Sequence, residues 1–166
     1  MKNTQKLLTW ILVVVLIVAT LVLVACVDKP QTIELDNLTL PKLNDDQAVI
    51  IVRNRNDTYT LHVVTVGAKG TDATTVEGAL NYLAELGKLS YTANGTMLDN
   101  IANLNPNSDA HEYVSLYTSV TGDWGQGASD TAYKIGDDIY VGYSQYGFKQ
   151  MKFVAGAIIY FEIATW

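Results

Sequence analysis

The stretch TTVEGALNYLAELG, residues 74–87, decides the fold class because it carries the clearest helical pattern in the chain. Thr74 followed by Glu77 has the spacing of a capping box, and Gly87 suits the left-handed position at which many helices end. Apolar residues recur at helical spacing along one side of it: Val76, Leu80 and Leu83. The sequence therefore predicts one amphipathic helix over residues 75–86.

Runs rich in β-branched and aromatic residues lie on both sides of this helix. Two precede it, AVIIV at 48–52 and YTLHVVTV at 59–66, and the short Asn-rich link between them predicts a β-hairpin. Four follow it, the first with a turn at Asn94-Gly95: KLSYTANGTML, EYVSLYTSV, DIYVGYSQY and AIIYFEIATW. This order predicts an α+β fold in which one helix packs on one face of a mixed sheet, in the β-grasp pattern.

The N-terminal segment, MKNTQKLLTWILVVVLIVATLVLVAC, has the layout of an export signal. Lys2 and Lys6 precede an apolar run at 7–24, and the following Leu23-Val24-Ala25-Cys26 resembles the bacterial lipobox, whose cysteine carries the lipid. We therefore expect residues 1–25 to be a lipoprotein signal peptide and Cys26 to be the lipid attachment site. An uncleaved transmembrane helix is the open alternative, because the run is just long enough to span a bilayer. Both alternatives predict a membrane-anchored protein on the extracytoplasmic face.

Residues 26–46 are polar and contain Pro30 and Pro41, which is typical of a tether between a lipid anchor and a domain. The alternative is that this stretch packs on the domain as an edge strand through its leucines: Leu38, Leu40 and Leu43. Residues 47–166 have the size of a single domain. Cys26 is the only cysteine of the chain, so an ordinary apolar core must stabilise this domain without disulfides.

The charge balance argues against two classes of partner. The chain has 11 basic and 17 acidic residues, a formal net charge of −6, and loss of residues 1–25 would remove two lysines and no acid. An acidic surface disfavours nucleic acid and does not favour contact with anionic lipid headgroups. No sequence pattern predicts a cofactor.

Three short motifs resemble the transcobalamin C-terminal-like domain family, which includes many bacterial lipoproteins. They are a helix start with Thr75, Ala79 and Leu80, an aromatic strand with Tyr113 and Tyr117, and Gly136-Asp137 before Ile139. The resemblance covers residues 63–161 and implies a β-grasp-type domain. Where many members have a tryptophan strand ending in Val-Asn-Gly, this chain has tyrosines and Val120-Thr121-Gly122, so the resemblance does not imply a shared ligand. Corrinoid binding, known for the related domain of animal cobalamin carriers, is an analogy, and the larger helical partner domain of those carriers has no room in this chain.

Strand alternation predicts a binding surface. It places one set of apolar side chains toward the helix: Val114, Leu116, Ile139, Val141, Ile159, Phe161 and Ile163. It gathers the candidate contact residues on the opposite face, with a tryptophan in the neighbouring loop: Tyr113, Tyr117, Tyr140, Tyr160 and Trp124. Aromatic side chains with a polar tip suit recognition of planar ligands, sugars or protein partners. The alternative is that cross-strand tyrosine pairs only stabilise a half-exposed sheet.

Catalytic and metal-binding patterns are weak. His62 and His111 are widely separated, and with no further thiol they do not give a zinc spacing. The loop NLNPNSDAHE at 103–112 is rich in oxygen ligands but lacks the glycine and glutamate of a calcium loop, so we predict no metal site. The sequence therefore favours a non-catalytic module that binds an unknown small molecule or an envelope protein. The alternatives are a scaffolding protein of the cell envelope and a small hydrolase using His111 and Glu112.

Overall fold

The computed structural model of the chain describes residues 33–35, 38–68, 74–136 and 138–166, all within one compact unit spanning 31–166. The helix α1 is Val76–Glu85, and the strands are β1 Ile33–Glu34, β2 Gln47–Arg53, β3 Tyr59–Thr65, β4 Tyr91–Asn94, β5 Met97–Ile101, β6 Glu112–Thr118, β7 Tyr133–Ile135, β8 Ile139–Tyr143 and β9 Ile158–Thr165. The predicted signal peptide, Cys26 and Asp137 lie outside the described residues. No helix in the described ranges is long and apolar enough to cross a membrane.

Seven strands form one mixed sheet in the order β1-β7-β8-β6-β9-β2-β3, and β4 and β5 form a separate hairpin. The pairs β2/β9 and β1/β7 are parallel, and the other neighbours are antiparallel. The chain is therefore α+β with one helix and a mixed sheet, as the sequence predicts. The two predicted hairpins are confirmed as β2/β3 and β4/β5, with Gly95 at a positive φ of 64° in the second turn. The short strands β1 and β7 are not predicted.

The helix begins one residue later than the predicted capping box. Thr75 is the N-cap, and its Oγ1 accepts a hydrogen bond from the N–H of Gly78 at 3.1 Å. Thr75 is extended because it forms an antiparallel bridge with Lys152, so Thr74 lies outside the helix. Glu77 instead lies 3.6 Å from Lys149 Nζ. Gly87 has a φ of 66°, which confirms the predicted left-handed stop.

The neighbouring strands β2 and β9 are buried on both faces, so the sheet separates two cores. Residues 48–52 of β2 are all fully buried. Ile50 and Val52 face the core under α1, whereas Val49 and Ile51 face a second core on the other side of the sheet.

The second core is covered by the chain segment that precedes β2. Leu35 and Leu38 are buried there, and Leu40 and Leu43 pack against the same cluster. β1 also adds an edge strand to β7. In the stretch predicted as a tether, these leucines therefore pack on the domain as the alternative predicts, but they do not form the edge strand, which is β1. The domain begins before residue 47.

Truncation of Leu38 tests this packing. Because Leu38 is only 9% exposed, Leu38→Ala should lower the free energy of unfolding by about 2 to 3 kcal/mol. Urea unfolding followed by tryptophan fluorescence measures the change. Leu86→Ala is the control, since Leu86 is 49% exposed and its truncation should cost less than about 0.5 kcal/mol. Equal effects of the two substitutions would contradict the packing.

Candidate functional site

The structure brings together only two of the five predicted contact residues, Tyr117 and Tyr160. Their ring centroids are 5.6 Å apart, and two further tyrosines join them, Tyr133 at 5.0 Å and Tyr143 at 5.9 Å from Tyr117. Tyr160 is fully buried in the second core, so it has no surface to offer a ligand. This part of the predicted binding surface is mostly internal.

Tyr140 lies on the opposite face of the sheet from these tyrosines. Tyr117 is in register with Tyr143, and Val141 belongs to the second core, so the intervening Tyr140 must point the other way. The prediction that Val141 faces the helix is therefore wrong. The sequence Ile139-Tyr140-Val141 is apolar throughout, so its alternation can be read in either phase.

Trp124 also lies away from the tyrosines, because it packs over Gly142. A Cβ at Gly142 would lie 2.5 Å from the Trp124 ring, and Trp124 Nε1 donates to the carbonyl oxygen of Thr118 at 2.6 Å. Trp124 is therefore held as part of the fold. Tyr113, the fifth predicted residue, lies at the far end of β6 with its ring 5.6 Å from Trp166.

Glu162 is a buried carboxylate at the centre of the tyrosine cluster. It accepts hydrogen bonds from the hydroxyls of Tyr133 at 2.6 Å and Tyr160 at 2.9 Å. Arg53 NH1 donates to it at 3.2 Å. A buried charge requires such partners, and truncation of any one would leave the others poorly paired. The predicted tyrosine face therefore contains a polar network that the sequence analysis missed.

Burial raises the pKa of Tyr117 to about 12, with a further rise from Glu162 that the nearby Ser115 and Tyr133 hydroxyls partly oppose. Burial, followed by the negative charge of Glu162, also raises the pKa values of Tyr133 and Tyr160 well above the usual range. Partial burial lowers the pKa of Arg53, but its acidic and phenolic neighbours raise it overall. The network thus favours neutral phenols around one carboxylate.

A cavity of about 300 Å³ opens beside this network, lined by Arg53, Asn54, Arg55, Asp57, Leu104, Glu162 and Ile163. Both arginines already have acidic partners. Arg53 lies 2.9 Å from Asp57 and also contacts Glu162, and Arg55 forms two hydrogen bonds to Glu112. The cavity therefore offers little free positive charge to an anion.

A second cavity, the β6 cavity, lies where β8 leaves β6. Its volume is about 210 Å³, and it is lined by residues 96–98 of the β4/β5 turn, 113–116 of β6 and 143–148. β8 pairs with β6 only at Tyr117 and Thr118, after which the chain turns away. A Cβ at Gly147 would lie 2.5 Å from the Thr96 carbonyl oxygen, so the hairpin tip closes tightly on this segment.

The main chain of β6 is incompletely bonded at this cavity. Successive residues of a strand direct their N–H and C=O groups to opposite sides. Toward β9, Ser119 N–H donates to Ile158 at 2.9 Å, so the odd-numbered residues of β6 bond to β9. The even-numbered residues face β8 and the cavity.

Only part of that even-numbered edge finds a partner. The Leu116 carbonyl accepts from Ser144 N–H at 2.9 Å, and Glu112 N–H donates to Asn107 at 3.1 Å. Within the described part of the chain, no group bonds the N–H or C=O of Val114 or the N–H of Leu116. These three groups line a cavity that opens to the surface, where a polar partner can reach them.

Exposed apolar side chains surround the mouth of the β6 cavity. Met97 is 61% exposed, Tyr143 45% and Tyr146 42%, and the lining contains no Asp, Glu, Lys, Arg, His or Cys. Tyr113 also lines this cavity, which makes it the one predicted contact residue found there.

The loop with the weak catalytic and calcium patterns is occupied by local contacts. His111 adopts a left-handed conformation with a φ of 55°, and its ring lies 5.6 Å from Trp166. Glu112 accepts from Arg55 and from Asn107 N–H, and Asn107 caps a short 3-10 turn. In the ranges that the structure describes, no three His, Cys, Asp or Glu side chains are grouped to hold a metal ion.

No protein-family model matches the chain. No curated protein matches it either. Among solved structures, the chain is similar to a "putative metal binding protein" from Ruminococcus gnavus ATCC 29149. The identity is 7% and the TM-score 0.47, with 73% of this chain and 98% of that chain covered.

Alkaline titration tests the tyrosine network. The folded protein retains phenolic protons that the unfolded chain releases near its ordinary pKa of about 10, so the free energy of unfolding should fall as the pH rises above about 10. Urea midpoints measured from about pH 8 to pH 12 should show this decline.

Tyr133→Phe should make the decline shallower, and at neutral pH it should cost about 1 to 3 kcal/mol because Glu162 loses a donor. Tyr140→Phe is the control, because Tyr140 is 42% exposed on the other face. An unchanged slope in Tyr133→Phe would contradict the assignment.

Proposed function

We propose that this protein is a membrane-anchored, extracytoplasmic lipoprotein whose domain acts as a non-catalytic binding module. The observation that carries the proposal is the β6 cavity, a concave site with unpaired main-chain groups inside and exposed Met97, Tyr143 and Tyr146 at its mouth. Apolar side chains around a few polar groups are typical of binding sites. Tyrosine is also common among residues that dominate binding energy.

The chemistry of the lining supports binding rather than turnover. General acid and base catalysis uses side chains such as histidine, carboxylates or lysine, and none lines the β6 cavity. The two serines of the lining, Ser115 and Ser144, have no histidine beside them there that could act as a base.

The strand order supports the proposal of a β-grasp domain similar to the transcobalamin C-terminal-like family. The hairpin β2/β3 precedes α1, and the last strand β9 returns to pair in parallel with β2 inside the sheet. β6 and β8 then extend the sheet on the far side of β9. The tyrosines that differ from the family pattern lie on β6, where Tyr113 lines the cavity and Tyr117 belongs to the tyrosine cluster.

Matched tyrosine substitutions test the binding site. The full-length protein in detergent would be followed by thermal unfolding against cobalamin, cobinamide, haem, glycans and calcium. A ligand at 100 times its dissociation constant should stabilise the fold by about 2.7 kcal/mol, a shift of several degrees. Tyr143→Ala should abolish the shift, whereas Tyr140→Ala, equally exposed on the same strand but facing the other way, should keep it.

Envelope proteins are the other partners to examine, by chemical crosslinking on intact cells. Tyr143→Ala should lose a crosslinked partner that Tyr140→Ala retains. Absence of any ligand or partner, or equal behaviour of the two variants, would contradict the proposed site.

Cys26→Ser tests the anchor. If Cys26 carries the lipid, the substitution should abolish incorporation of labelled palmitate and should block cleavage before residue 26, leaving a larger precursor on an electrophoresis gel. Unchanged labelling and mobility would contradict a lipid at Cys26 and favour the uncleaved transmembrane helix.

A further inference from the structure

We propose that the β6 cavity binds an extended peptide segment of a partner protein, which adds a short strand beside β6 where β8 has left it. The inference rests on the proposed function, because it names the ligand class for the same site. Addition of a peptide strand to an open strand edge is a common mode of recognition, in which main-chain hydrogen bonds supply affinity and side-chain pockets supply specificity.

The pattern of unpaired main-chain groups is the first argument. Val114 offers one donor and one acceptor, and Leu116 offers a donor two residues further along the same edge. These groups recur at the spacing of a strand, which matches the spacing of carbonyl and N–H groups in another extended chain. An extended peptide can bond all three groups with its own carbonyl and N–H groups.

The size and charge of the cavity are the second argument. At about 210 Å³ it is smaller than the usual pocket for a drug-sized ligand, so it would enclose only a short part of a longer chain. Its lining carries no ionised side chain, so it offers no counter-charge to a phosphate, a carboxylate or a metal ion. An uncharged peptide backbone requires none.

The residues that line the β6 cavity indicate which side chains such a peptide would carry. Side chains of an added strand alternate between the two faces of the sheet. On one face, Leu98 and Phe148 belong to the core under α1, so an apolar side chain fits there. On the other face, Ser115 is 1% exposed and its hydroxyl lies beside that of Tyr117, so a small polar side chain fits there. The favoured segment alternates apolar and small polar residues.

The test uses the full-length, isotope-labelled protein in detergent micelles and the capped peptide acetyl-Thr-Val-Thr-Val-Thr-amide. The matched control is the same peptide with both valine nitrogens methylated, which removes main-chain donors and keeps the side chains. Titration should give saturable amide shifts centred on Val114 and Leu116 in the nuclear magnetic resonance spectrum. The methylated peptide should bind at least roughly tenfold more weakly, since it loses main-chain hydrogen bonds.

Three outcomes would overturn the inference. The first is no shift at Val114 and Leu116 at millimolar peptide, and the second is equal binding of the methylated control. The third is that the Val114 and Leu116 amide signals shift as the protein concentration rises, with no peptide present. That result would mean that a second copy of the chain binds the edge. One pair of results would leave the proposed function standing and this inference wrong. In it, a small molecule of the panel stabilises the wild-type protein but not Tyr143→Ala, and the peptide causes no amide shift.

Discussion

The parallel pairing of β2 with β9 is the constraint on which the rest of the structure depends. It joins the first hairpin to the last strand and aligns Val49 with Ile158 and Ile51 with Tyr160 along one face. Both strands are buried on both faces, so each face must be covered. The helix and the β4/β5 hairpin cover one face, and the leucines that precede β2 cover the other.

This double burial explains which parts of the fold follow from the sequence. The helix with its glycine stop, the β2/β3 hairpin and the three closing strands carry strong local patterns, and the structure contains them. Local patterns do not say what covers the second face, so residues 33–46 could be predicted either as a tether or as an edge. For the same reason, strand alternation predicts an exposed face for Tyr160, although Ile158, Ile159, Tyr160 and Phe161 are all apolar or aromatic.

The candidate site was less predictable because it depends on where pairing stops. Tyr113 could be identified from its strand. Tyr143 and Tyr146 line the cavity only because β8 stops pairing with β6 after Tyr143. The signal for that departure is indirect. Gly142 admits the Trp124 ring and Gly147 admits the hairpin turn, and each is a close approach that a side chain would block. Such contacts join residues far apart in the sequence, and no periodicity reveals them.

Amide hydrogen exchange of the free protein, resolved by residue, tests most directly the claim that β6 has an open edge inside the sheet. The account predicts alternation along β6, with slow exchange at Tyr113, Ser115 and Tyr117, which bond to β9, and faster exchange at Val114 and Leu116. Residues 48–52 of β2 should show uniform protection from exchange, because β2 lies between β3 and β9 and pairs with both. Protection of Val114 and Leu116 equal to that of their odd-numbered neighbours would contradict the open edge.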